Sequence, residues 1–119
     1  MLNKIKQYNT YPHLHFAFTD ASGQPVDCSI YDVKLVARDR KGNIVIEAEI
    51  GESSGSAVWN EGNAALGKGL YRWEKQDTAL QGIYEYEFKF RRHSDGREFT
   101  IPQEGYFEYI VYDDINTFE

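Results

Sequence analysis

The residues of this 119-residue chain that could bind a metal or carry a reaction are three histidines, nineteen carboxylates and one cysteine. His13 and His15, in "HLHF", form the best metal candidate, because positions i and i+2 of a strand present both imidazoles on one face. A zinc site needs a third and usually a fourth ligand, and His93 belongs to a distant hairpin end. The pair is therefore expected on a solvent-facing edge strand, with no metal held. Glu47 and Glu49 share a strand face, as do Glu85 and Glu87. Acid–base work requires burial or proximity to separate such pKa values, whereas these acids alternate with core positions and are expected in solvent. Serines, histidines and aspartates are present without a G-x-S-x-G elbow. "GESSGS" lacks the Gly-Lys-Ser/Thr that would cradle a phosphate, and "YDDIN" lacks the spaced oxygens and central glycine of a calcium loop. Cys28, in "VDCSIY", has no activating neighbour, so a small buried or half-exposed thiol is expected. No catalytic, cofactor or metal site is expected, and the chain does not read as an enzyme.

Composition agrees with a different kind of protein. Hydrophobic residues make up 41% and charged residues 27%, which suits one domain with a single core rather than a disordered chain. The aromatic share of 15% points to β-structure or an interface. No apolar run approaches the roughly 20 residues that cross a bilayer, and the N-terminus has no signal-peptide pattern. A lone cysteine forms no internal disulfide, as suits folding in a reducing cytoplasm. The net charge of −6 opposes a phosphate backbone, and the basic clusters "RDRKG" and "FRRHSDGR" fall at turns; neither nucleic acid nor membrane is an expected partner.

The elements that would position these residues are short alternating strands separated by turn signals, the pattern of an all-β sandwich. "HLHFAFT" directs Leu14, Phe16 and Phe18 to one side. "IYDVKLVARD" and "IVIEAEI" flank "RKGN" as a hairpin, with Tyr31, Val33, Leu35 and Ala37 on one face. Residues 51 to 81 leave alternatives open. "SAVW" and "GLYRWE" suit two short strands, and the segment between them suits a loop or a single helical turn. "KQDTALQG" suits a turn or one 3-10 element. "GIYEYEFKFRR" is the plainest strand: Tyr84, Tyr86, Phe88 and Phe90 share one side, charges the other. An isolated hairpin could not keep four aromatics in water, so that face is expected to be core rather than a binding platform. "SDGR" closes its hairpin, "REFTIP" returns to Pro102, and a last strand runs from Gly105 to about Tyr112. The expected domain spans residues 1–119, with a core from about 13 to 115 between short tails.

The last strand raises a further point. With Phe107, Tyr109 and Val111 facing the core, Tyr106, Ile110 and Tyr112 face outward with only Glu108 among them. So apolar an outer stripe marks a contact surface, or a strand covered on both sides, for instance by the tail "INTFE".

In order and spacing these motifs resemble the N-terminal Ig-like domain of phage baseplate upper proteins. The "D-x-x-G-x-P-x-D" opening is matched by Asp20, Gly23, Pro25 and Asp27, and the strand–turn–strand by Val33 to Ile50. "L-x-x-G-x-Y-x-x-E-F" is matched by Leu80, Gly82, Tyr84 and Glu87–Phe88. The Asp95–Gly96 hairpin, Pro102 and the aromatic strand from Tyr106 to Val111 follow. The resemblance covers about residues 14 to 115. It implies an Ig-like antiparallel β-sandwich of about seven strands, acting as a non-enzymatic structural protein of a tailed-phage virion made in the host bacterial cytoplasm. Its implied partners are other virion proteins, and itself in a symmetric assembly; the outer stripe of the last strand makes Tyr106, Ile110 and Tyr112 the expected interface. Members of that family continue into helical linkers and receptor-binding parts, while this sequence ends at Glu119; an adaptor, decoration, neck or tail accessory is the expectation. Two rivals stand beside it. A carbohydrate-binding module would stack sugars on Trp59 or Trp73, and a protein-binding accessory would hold one partner through its loops.

Overall fold

A computed structural model describes residues 3–52 and 55–113. Among them are nine strands and no α-helix: β1 (Asn3–Lys6), β2 (Leu14–Ala17), β3 (Tyr31–Arg38), β4 (Ile44–Glu49), β5 (Ala57–Trp59), β6 (Lys68–Tyr71), β7 (Gly82–Arg92), β8 (Glu98–Ile101) and β9 (Phe107–Tyr112). They form a β-sandwich of two sheets, one of six strands and one of three. The larger runs β1-β9-β7-β3-β4 with β8 also on β7, and the smaller runs β2-β6-β5. The count exceeds the expected seven or so because β1 joins the sheet and the middle of the chain supplies two short strands.

The eleven-residue β7 is the axis of the larger sheet. Its pairing with β3 is antiparallel, from Tyr31↔Arg92 to Arg38↔Glu85. Its other edge is shared, β9 taking Gly82 to Tyr86 and β8 taking Phe88 to Arg91. The alternation of β7 decides its faces: Tyr84, Tyr86, Phe88 and Phe90 are all buried, while Glu85, Glu87, Lys89 and Arg91 lie on the outer side. This settles core against platform for the aromatic run. The smaller sheet covers it with Phe16 and Phe18, whose rings lie 4.9 Å from that of Phe88. Tyr84 stacks on Tyr109 at 4.7 Å and 4°, and Trp73 tilts against Tyr109 at 4.7 Å.

Turn chemistry follows the sequence. In the β3–β4 hairpin, Asp39 Oδ1 accepts from the amides of Lys41 and Asn43, and Gly42 takes the φ of 91° that a side chain would resist. Gly69 answers to packing instead: a Cβ there would meet the Val58 carbonyl at 2.6 Å and the Phe16 ring at 2.8 Å. The open middle resolves into strands β5 and β6, with 3-10 turns at Asn60–Gly62 and Ala64–Leu66 between them. "KQDT" forms a 3-10 turn, Lys75–Thr78.

One expectation is corrected at the N-terminal end. Residues before 13 are not a tail, because β1 lies parallel to β9, from Asn3↔Tyr109 to Lys6↔Tyr112, and buries Ile5. Its register cannot be read locally, since a parallel neighbour lies far along the chain.

Candidate outer-face interface on the last strand

The chemistry-bearing residues are dispersed. His15 is exposed on β2, an edge strand; His13 precedes it, half-buried, with Nδ1 enclosed and without a hydrogen-bond partner among the described residues, and its ring lies edge-on to Tyr11 at 5.2 Å. His93 instead contacts Asp32, Nε2 to Oδ1 at 3.0 Å. Among the described residues no three His, Cys, Asp or Glu side chains gather as a metal site. Burial leaves Cys28 1% exposed and pushes its thiol up to about 12. Trp59 and Trp73 are each 5% exposed, and Trp73 donates from Nε1 to the Pro12 carbonyl at 3.0 Å. Neither indole is available to stack on a sugar, which removes the basis of the carbohydrate-binding alternative.

The polar residues with perturbed acidity sit in structural roles. Asp77 is buried, and its Oδ2 accepts from the Tyr71 hydroxyl at 2.7 Å and the Glu74 amide at 2.8 Å; burial raises its pKa. The paired acids expected in solvent face outward. Glu47 binds Lys34 at 3.0 Å, Glu85 binds Arg38 at 3.1 Å, and Glu87 binds Lys89 at 2.8 Å. The basic clusters are likewise taken up locally, Arg40 by Glu108 at 3.1 Å and Arg92 by Asp95 at 2.6 Å. A groove of about 520 Å³ crosses this face between β4 and β8, lined among others by Asp32, Lys34, Glu49, Lys89, Arg91 and Glu98. Its cations are engaged by Glu47, Glu87 and Asp32, so the groove presents a charged but internally compensated surface.

The outer face of β9 is different. Phe107, Tyr109 and Val111 turn inward as their parity requires, leaving Tyr106, Glu108, Ile110 and Tyr112 outside. The three aromatic and apolar positions do not form one patch. Tyr106, 45% exposed, lies under the guanidinium of Arg38, whose Cζ is 4.4 Å from the ring centroid. The charged row Glu108–Glu85–Arg38 separates it from Ile110, about 13 Å along the strand. Ile110 instead sits between Lys4 of β1 and Ile83 of β7, which pair with it on either side. Tyr112 pairs with Lys6 one row further along. The patch is therefore Ile83, Ile110 and Tyr112, bordered by two lysines, with Ile83 37% and Tyr112 43% exposed. Sequence reasoning missed Ile83, although its parity opposite Tyr84 placed it outside; what was hidden is its lateral pairing with Ile110.

No protein-family model matches the chain, and no curated protein matches it in sequence. Its structure is similar to that of the N-terminal domain of phage TP901-1 ORF48, with a TM-score of 0.56 and 18% identical residues over 94% of this chain and 85% of that one. At that identity the likeness is one of fold.

Proposed function

We propose that this chain is an Ig-like structural domain of a tailed-phage virion, in the baseplate, tail or neck, that holds neighbouring components together without catalysis. The observation carrying this reading is the fold likeness to a phage protein's N-terminal domain across nearly the whole of this chain. One local feature supports the Ig-like part. Tyr84, near the start of β7, donates its hydroxyl to the carbonyl of Leu80 at 2.7 Å. That is the geometry of the tyrosine corner of Ig sandwiches, a tyrosine at a strand start bonding back a few residues upstream.

Contact with a neighbouring virion protein is made through Ile83, Ile110 and Tyr112, with Tyr106 as a separate aromatic contact and Lys4 and Lys6 at the rim. A small apolar centre with a charged rim is the anatomy of a modest interface, and repetition around a symmetric particle multiplies weak contacts. The test is quantitative mass spectrometry of purified particles from cells that produce the chain, wild type beside Tyr112→Asp. Wild-type chain in fixed stoichiometry with the particle and loss of the folded variant are expected. Wild-type chain absent from particles would overturn the virion reading; a folded Tyr112→Asp chain incorporated normally would overturn the assigned surface.

A further inference from the structure

The connection between β1 and the rest of the sandwich places a non-glycine residue in the left-handed region, as among the described residues the turn at Glu61 also does. Lys6 to Asn9 form a reverse turn closed by the Asn9 amide on the Lys6 carbonyl at 3.1 Å. Its third residue, Tyr8, has a φ of 63°, a left-handed backbone for which glycine is the ordinary choice. The bulky residue gains little there, since Tyr8 remains 45% exposed. The turn is held in place from outside: the Tyr8 amide donates to the Thr78 carbonyl at 2.9 Å, and Gln7 Nε2 donates to the Ala79 carbonyl at 2.6 Å.

The strand beyond this turn is lightly attached. β1 is four residues long, and its pairing with β9 is parallel, the weaker ladder per residue. Ile5 is its one buried side chain, and Asn3 donates from Nδ2 to the Tyr86 hydroxyl at 2.8 Å. Apart from its ladder with β9, β1 is connected to the remaining described strands through the turn at Tyr8. If β1 leaves, it uncovers one edge of β9, a slot for Ile5 and an unpartnered Tyr86 hydroxyl. These features together specify an extended segment with an amide at one position and a branched apolar residue two positions on.

We infer that β1 is an exchangeable strand, which leaves its own sandwich and pairs in the same register with β9 of a second copy of this chain. The contacts of β1 with β9 and with the Ile5 slot are rebuilt between the two chains, because the occupant of the slot is the same sequence. What differs is the turn: in the exchanged pair it opens, and the left-handed conformation at Tyr8 is released. A hinge under strain favours exchange. The inference stands on the geometry of β1, the turn and β9, and does not depend on the virion reading.

The test places single cysteines on separate full-length chains of different mass, mixed at high concentration under oxidising conditions. Lys4 lies directly opposite Ile110, with Ile83 one strand further in the same row. Exchange therefore predicts an interchain disulfide when Lys4→Cys is mixed with Ile110→Cys, at least about tenfold above the mixture with Ile83→Cys. Cys28 is too deeply buried to compete in folded chains. Simple face-to-face stacking would link both mixtures alike. Introducing Tyr8→Gly, which removes the penalty in the closed turn, should lower the yield about tenfold. Equal linkage in the two mixtures, or a yield indifferent to Tyr8→Gly, would overturn the inference. Light scattering on chains without the introduced cysteines supports it if the wild-type chain forms dimers that Tyr8→Gly diminishes, and a wild-type chain monomeric at every concentration refutes it.

Discussion

Four tyrosine hydroxyls lie within the sandwich, and raising the pH sets them against it. Tyr71, Tyr84, Tyr86 and Tyr109 are each 6% exposed or less, and burial raises the pKa of all four, that of Tyr86 to about 12. For Tyr71 the phenol also faces the Asp77 carboxylate, and for Tyr109 the charges of Asp77 and Tyr84 add to burial. A tyrosine whose folded pKa lies above its unfolded value of about 10 lends stability that is complete below pH 10. That stability drains away as the pH rises from there through the folded value, because the unfolded chain releases its protons first. Each group whose folded pKa still lies above the pH costs about 1.4 kcal/mol per pH unit, so Tyr71, Tyr86 and Tyr109 together approach about 4 kcal/mol per unit between pH 10 and 12, and Tyr84 adds in the same direction. A domain with about 5–15 kcal/mol in hand should then unfold cooperatively by roughly pH 12.

The assay is tyrosinate absorbance followed beside far-ultraviolet circular dichroism from pH 8 to 13. The four buried hydroxyls should ionise together with the loss of β-structure, and Tyr86→Phe should make the stability fall less steeply with pH. Full ionisation of all nine tyrosines while the β-signal persists would refute the argument. It would mean that the aromatic side of β7 is open to water in the folded state, as a binding platform would be and a core would not.

Other perturbations probe single contacts. Gly69→Ala drives a methyl into the Val58 carbonyl and the Phe16 ring, and should cost about 1–3 kcal/mol in chemical denaturation without altering the cooperativity of the transition. Tyr84→Phe keeps the stack on Tyr109 and loses only the bond to Leu80; a loss of about 0.5–1.5 kcal/mol is expected, and no measurable loss would remove the corner's structural role. Cys28, buried with its thiol pushed up to about 12, should resist a thiol reagent at pH 8 in buffer and react at once in denaturant.

The strands whose alternation is long enough to declare its parity were legible in the sequence, and burial follows them residue by residue. In β3, Val33, Leu35 and Ala37 are buried and Tyr31 half-buried; in β9 the inward set is Phe107, Tyr109 and Val111. The Asp-Gly and Gly-Asn turns were legible because their backbone demands are local. β1 was not, since "NKIK" offers one apolar residue and β9, its partner among the described residues, is more than a hundred positions away. The two tryptophans were equally opaque: an indole's exposure depends on what packs over it, here Phe16 and Phe18 against Trp59 and Tyr71 and Tyr109 against Trp73.

The candidate surface shows why parity alone stops short of function. Parity put Tyr106, Ile110 and Tyr112 on one side of one strand, yet a surface is made by rows that run across strands, and those are set by register. Across β9, β7 and β3 one row reads Glu108, Glu85 and Arg38, where an ion pair of 3.1 Å ties the last two together and another of 3.1 Å ties Glu108 to Arg40. The next reads Lys4, Ile110 and Ile83. Binding through the first row would require breaking pairs already made, whereas the second presents apolar area whose burial is favourable at about 25 cal/mol per Å². The difference between two adjacent rows, invisible along the chain, is what singles out Ile83, Ile110 and Tyr112 over the more conspicuous charges of the same face.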